Sequence, residues 1–347
     1  MQKTNNLRVD GFTPIAAPAQ IMKEVPISDS ASETVARARQ DIQDRLDGKT
    51  ERTIIIVGPC SIHDYEQALD YATRLNELRE KVDDKLQIIM RTYFEKPRTN
   101  IGWKGFIYDP YLDTSYSLDE GVKLARKLLV QINSMGLSTA TEVLGPITIQ
   151  YYSDLICWAA IGARTAESQT HRELSSGLSM PVGFKNGTNG SLDIAINAIK
   201  AASIPHHFLG MDDEGKVAIV RTKGNLYGHT VLRGGTNGPN YSAAAVDTAE
   251  QIHHDAGIAA RLVIDCSHAN SSKDHRNQPT VWRSTWEQIR AGNRSICGIM
   301  MESNLCEGKQ DIGGGFGELL YGVSVTDACI DFEETETLVM EAYAALD

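Results

Sequence analysis

The chain has 347 residues, 41% of them hydrophobic, and a formal net charge of -11. That length and apolar content provide a sizeable core without demanding several domains, and the acidity argues against a nucleic-acid groove or an anionic membrane surface as partner. No apolar run approaches the roughly 18 residues of a membrane span, and Met1-Gln2-Lys3-Thr4 lacks the apolar core of a signal peptide, so a cytoplasmic protein is expected.

Residues 1 to about 29 mix proline, alanine and polar residues without period. Ser30 then opens a helical pattern through Val35, Ala38, Ile42 and Leu46 that stops at Gly48. Residues 1–50 therefore read as an N-terminal extension ahead of the main fold in 51–347. The β-branched run over 53–57 ends abruptly at Gly58-Pro59 and hands Cys60 to a loop, with Asp64 placed to cap the next helix. Seven more apolar runs follow, ending at Arg91, Glu142, Arg164, Lys185, Arg233, His268 and Glu302. Helical patterns over 66–82, 119–135, 192–202, 243–256 and 281–291 separate most of them. This alternation predicts a parallel sheet with helical crossovers, and eight such units predict a (β/α)8 TIM barrel.

Two gaps between strand ends are longer than one unit needs. The first holds Lys96-Pro97-Arg98-Thr99 and Gly102-Trp103-Lys104-Gly105, a long loop on the active-site side of a barrel. The second holds Phe208-Leu209-Gly210 and Val217-Ala218-Ile219-Val220 around Asp212-Asp213-Glu214-Gly215, which predicts an inserted β-hairpin over about 206–222. Preceding strand six, it falls on the N-terminal face of the barrel, away from the chemistry.

Every run ends in a polar or reactive residue, and in a barrel those ends share one mouth. Arg91, Lys96, Arg98, Arg164, Lys185 and Arg233 give that mouth a cationic set in an otherwise acidic chain, which suits substrates carrying phosphate and carboxylate groups. Cys60, His268, Glu302 and Asp327 offer one thiolate, one imidazole and two carboxylates, a mixed set plausible for a divalent transition metal and poor for calcium. The competing reading keeps His268 as an ordinary hydrogen-bonded histidine. Cys60, Cys157, Cys266, Cys297, Cys306 and Cys329 form no CxxC pair, so neither a disulfide framework nor a zinc ribbon is indicated.

The segments Gly58-Pro59-Cys60-Ser61-Ile62-His63-Asp64, Lys96-Pro97-Arg98-Thr99, Gly162-Ala163-Arg164-Thr165, Gly183-Phe184-Lys185-Asn186-Gly187, Leu232-Arg233-Gly234-Gly235, Asp265-Cys266-Ser267-His268 and Thr326-Asp327-Ala328-Cys329 resemble the motifs of type I 3-deoxy-D-arabino-heptulosonate 7-phosphate (DAHP) synthases. The resemblance runs from about Leu7 to the C-terminus. It implies a condensation of phosphoenolpyruvate with erythrose 4-phosphate, the first step of the shikimate pathway. It also implies one divalent metal per subunit (Mn, Fe, Co or Zn) on Cys60, His268, Glu302 and Asp327. Arg164 and Arg233 would take the phosphoenolpyruvate phosphate, Arg91 and Lys185 its carboxylate, and Arg98 and Thr99 the phosphate of erythrose 4-phosphate. Pro97, Glu142, Ala163 and Asp327 complete the substrate-binding set. Cys60 and His268 enter the catalytic set as ligands, and Lys96 as proton donor, its pKa expected to fall beside other cations. If the chain is extended at Asp327, Cys329 shares its face, and a Cys60 to Cys329 disulfide is expected under oxidation.

The same resemblance implies feedback inhibition by an aromatic amino acid bound near Asn5, Asn6, Gln150, Leu178, Ser179, Phe208, Gly210 and Val220. Gly210 stands where phenylalanine-sensitive relatives carry serine, which favours tyrosine, with phenylalanine next. Ile149 stands where proline is usual, which is expected to alter the pocket wall. A homodimer or homotetramer is expected. The rival readings are a related synthase using arabinose 5-phosphate, whose loop reads Lys-Ala-Asn-Arg-Ser, and an inactive barrel that senses aromatic amino acids.

Overall fold

Eight parallel strands close on themselves in the computed structural model, which describes residues 2–98, 102–313 and 316–346. They are β1 (Thr53–Gly58), β2 (Leu86–Arg91), β3 (Ser138–Glu142), β4 (Trp158–Ile161), β5 (Val182–Lys185), β8 (Gly228–Leu232), β9 (Leu262–Asp265) and β10 (Ile296–Glu302). β1 closes the ring, pairing Ile54 with Gly298 and Gly58 with Glu302 on one side, and Thr53 with Leu86 on the other. Side chains alternate across each strand. Ile54, Ile56, Ile89, Trp158, Val231, Val263 and Met300 fill the interior, while Ile55, Val57, Ile88 and Ile299 face the surrounding helices.

The crossovers form where local signals start and stop them. In α3 (Tyr65–Val82) the Asp64 side chain accepts from the Gln67 amide at 3.1 Å, as the sequence predicts for a cap. The expected helices return as α4 (Leu118–Ser134), α6 (Asp193–Ala202), α7 (Ala243–Asp255) and α8 (Gln278–Arg290), beside the short α5 (Gln169–Ser175) and the terminal α9 (Phe332–Ala344). Between β3 and β4 the chain instead makes two 3-10 turns, Thr148–Tyr151 and Ser153–Leu155.

Ahead of the barrel lie α1 (Pro18–Glu24) and α2 (Asp29–Leu46), the latter capped by Ser28 rather than starting at Ser30. Val35, Ala38, Ile42 and Leu46 of α2 join the interior cluster, Arg45 donates to the Ile296 carbonyl at 2.8 Å, and Gln87 donates to Ala38 O at 3.2 Å. α2 thereby seals the N-terminal end of the barrel and leaves the other end open. The antiparallel hairpin β6 (His207–Met211) and β7 (Val217–Arg221) lies between α6 and β8, pairing Phe208 with Val220. Ala19 of α1 donates to Asp213 O at 2.8 Å in its turn, so the extension and hairpin meet.

Candidate active site

The open end carries the ends of the strands. Glu142, Lys185, Asp265 and Glu302 terminate their strands, Arg233 follows β8, and Cys60 lies two residues beyond β1. Of these, Glu142, Lys185 and Arg233 reach a cavity of about 360 Å³, while Cys60, Asp265 and Glu302 lie outside its lining. Lys96, Pro97, Arg98, Glu142, Ala163, Arg164, Lys185, Arg233, His268 and Asp327 line it, as do Gly162, Thr165, Thr188 and Thr326. The last four were not singled out from sequence, although three of them sit inside the quoted motifs. Thr188 is the residue without such a signal. Thr99 lies outside the described residues.

Cys60, Glu302 and Asp327 bring one ligand atom each to within 4.8 Å of one another. His268 lines the same cavity but is not part of that close group. One sulfur and two carboxylates, one of them deeply buried, fit a divalent transition metal. Burial pushes the Cys60 thiol up to about 11, with Glu302 adding to the effect, so the thiolate a metal needs is formed by binding the cation itself. Cys329 is buried, with its Sγ 3.6 Å from Asp327 O. Burial also pushes its thiol well above the ordinary range, and the expected extended path through Asp327 is a bend.

Two expectations change in the folded chain. Arg91 is fully buried and does not line the cavity. Its guanidinium lies 3.0 Å from Glu302 and stacks 3.9 Å from the Tyr93 ring centroid, so it braces the Glu302 carboxylate from behind. Lys96 lies 3.1 Å from Cys60 Sγ and 3.0 Å from Cys60 O. Burial alone would lower its pKa, but Cys60, Glu302, Glu142 and Asp327 outweigh burial and raise it. The carboxylates of Glu302, Glu142 and Asp327, rather than further cations, act on it, and it is firmly protonated.

A profile of the DAHP synthetase I family matches residues 24–340. The chain belongs to that family. It is 51% identical over 348 residues to the Tyr-sensitive phospho-2-dehydro-3-deoxyheptonate aldolase of Salmonella typhimurium, an alignment covering 100% of this chain and 98% of the relative. It is 48% identical over 339 residues to the Phe-sensitive enzyme of Escherichia coli, covering 98% of this chain and 96% of that one. A solved structure of phospho-2-dehydro-3-deoxyheptonate aldolase from Francisella tularensis has a TM-score of 0.94 at 48% identity and covers 97% of this chain and 98% of its own. The family's reaction joins phosphoenolpyruvate to erythrose 4-phosphate and opens the shikimate pathway.

A second cavity, of about 330 Å³, lies beside the hairpin and the 3-10 turns. Gln150, Leu178, Phe208 and Val220 line it, together with Met22 and Ile149. Asn5, Asn6, Ser179 and Gly210 do not. A Cβ on Gly210 would sit 2.6 Å from Val220 Cγ2, so glycine here admits the Val220 methyl and does not enlarge the cavity. One buried carboxylate, which lines neither cavity, ties together residues adjacent in sequence to the two linings. Glu95, next to Lys96, accepts from Thr148 Oγ1 at 2.8 Å and Tyr108 OH at 3.1 Å, and Thr148 adjoins Ile149.

Proposed function

We propose that the mouth cavity is where the two substrates meet, with the roles divided by position. Arg164 and Arg233 take the phosphoenolpyruvate phosphate, Lys185 its carboxylate, and Arg98, with Thr99, the phosphate of erythrose 4-phosphate. Cys60, Glu302, Asp327 and His268 hold one divalent ion, drawn from Mn, Fe, Co and Zn by supply. When bound, that ion supplies Lewis-acid polarisation of the aldose carbonyl. Lys96 adds a fixed positive hydrogen-bond donor where negative charge develops. Arg91 takes no substrate in this reading; it holds Glu302 in place.

The observation that carries the reading is the convergence of five cations, Lys96, Arg98, Arg164, Lys185 and Arg233, on one cavity that also holds Asp327 and His268. Steady-state kinetics test it. Lys185→Met is expected to raise KM for phosphoenolpyruvate at least tenfold with KM for erythrose 4-phosphate little changed, and Arg98→Ala the reverse. Equal effects of both variants on both substrates would contradict the division.

We also read the second cavity as a feedback site for an aromatic amino acid. Its apolar wall, closed by Phe208 and Leu178 and edged by Gln150 and Ser153, has the chemistry for one, and the relatives named above are called Tyr-sensitive and Phe-sensitive. Tyrosine stays favoured, phenylalanine next, now for the polar edge rather than for Gly210. Residues 1–50 serve regulation and assembly in this reading, because Met22 reaches the cavity and Tyr151 OH donates to Ala16 O at 2.9 Å. Leu209, Val217 and Ile219 lie exposed on the outer face of the hairpin, at 78%, 82% and 63%. An apolar face of that kind suits a homodimer or homotetramer. No helix among the described residues is long and apolar enough to cross a membrane, and the assignment to the cytoplasm rests on the pathway.

A further inference from the structure

We propose that Asp265 is a positioning residue that aims His268 at the metal and Lys185 at the phosphoenolpyruvate carboxylate, a role that rests on the reading of the mouth cavity given above. Asp265 ends β9 and is fully buried. Its Oδ1 accepts from the Ser267 amide at 3.0 Å, and its carbonyl accepts from Asn270 Nδ2 at 2.9 Å, so the turn carrying His268 is wound around it. Its other oxygen, Oδ2, faces two cavity residues at once. Nδ1 of His268 lies 2.9 Å away and Nζ of Lys185 lies 3.4 Å away. Neither Oδ2 nor Nδ1 makes a well-aligned hydrogen bond among the described residues, so these close approaches are the polar contacts that the two atoms have.

The backbone at His268 is held in an unusual conformation. His268 has φ of 60°, the left-handed region that a residue with a Cβ enters at a cost of about 1–3 kcal/mol. It is held there by Lys273 N donating to His268 O at 2.7 Å and by Ala269 N donating to Arg233 O at 3.2 Å. With Nδ1 turned to Asp265, Nε2 is the nitrogen left for the cavity. A carboxylate on the far nitrogen of a ligating histidine fixes the tautomer and the ring direction and makes the ligand more basic. Lys185 has three donors; Asp265 engages one side of the ammonium and leaves the others for a substrate carboxylate. One charge thus sets two directions, where an ordinary buried ion pair would set none.

The test measures Mn(II) affinity of the full chain by competition with a fluorescent chelator, and phosphoenolpyruvate affinity of the metal-free chain by calorimetry. Asp265→Asn is expected to weaken Mn(II) binding 10- to 100-fold and phosphoenolpyruvate binding at least fivefold. In a His268→Gln background, Asp265→Asn is expected to cost no further Mn(II) affinity beyond twofold. Unchanged Mn(II) affinity in the single variant, or the same loss in both backgrounds, overturns the proposal. If Asp265→Asn fails to fold, nitrogen NMR of the histidine-labelled wild-type chain decides. The Nδ1-protonated tautomer of His268 supports the inference, and the Nε2-protonated tautomer overturns it. Should the wild-type chain bind no Mn(II), the metal-site reading falls, while the tautomer still judges the contact between Asp265 and His268.

Discussion

Gly162 is the position where a single methyl group should damage activity without damaging the fold. It directly follows β4, beside Glu142 at the end of β3, and both line the mouth cavity. A Cβ there would sit 2.3 Å from Glu142 Oε1 and 3.5 Å from Thr165 Oγ1. Ordinary contact begins near 3.4 Å, so in Gly162→Ala the carboxylate must retreat by about 1 Å. The clash falls on the mobile end of a side chain, and Gly162 is not among the positive-φ glycines, so the backbone accepts alanine. A displacement of that size in a site that works by positioning costs about 100-fold in kcat/KM, or about 2.7 kcal/mol. Phosphate release would measure the loss and scanning calorimetry the stability, with Tm expected to move by less than about 4 °C. In a Glu142→Ala background the clash is gone and the added methyl should cost little. A folded Gly162→Ala chain with kcat/KM within threefold of wild type would refute the reasoning.

His229 supplies a pH test of stability. It is buried, accepts from Trp158 Nε1 at 2.9 Å, and desolvation lowers its pKa from 6.5 to about 4. The unfolded chain takes up this proton first, so stability is intact above pH 6.5 and falls as pH drops from 6.5 to 4, by about 3 kcal/mol in all. Urea unfolding of His229→Gln should show a flatter acid limb than wild type; parallel limbs would remove the assignment. Thr148→Val deletes the 2.8 Å bond to Glu95. Aromatic effector binding, read by calorimetry, should stay within threefold, while the concentration for half-inhibition rises at least fivefold; unchanged inhibition would mean that Glu95 carries no coupling. Cys60→Ser should leave the fold intact and weaken Mn(II) binding at least tenfold, since a hydroxyl does not replace the thiolate.

The barrel was legible because every unit carries its own local instructions. The β-branched run before Gly58, the Asp64 cap and the acidic turn at 212–215 each fix an element from its neighbours in sequence, and each is where the pattern puts it. The residues gathered at the mouth were legible too, because strand ends in such a fold share one face. What stayed hidden depends on contacts between distant segments. Arg91 reads as a strand-end cation, yet its charge goes to Glu302, more than 200 positions away. Lys96 reads as one cation among several, but the fold surrounds it with Cys60, Glu302, Glu142 and Asp327. Asp265 reads as one more polar residue in a motif, and only the turn shows that it faces both His268 and Lys185. Gly210 reads as added room until the facing Val220 methyl is seen to occupy it.

The most direct test of the account is phosphate release by the full chain from phosphoenolpyruvate with one aldose phosphate at a time, before and after chelation. Release is expected with erythrose 4-phosphate, none with arabinose 5-phosphate, loss of release with EDTA and recovery on adding Mn(II). Release that survives complete metal removal, or that prefers arabinose 5-phosphate, would contradict it.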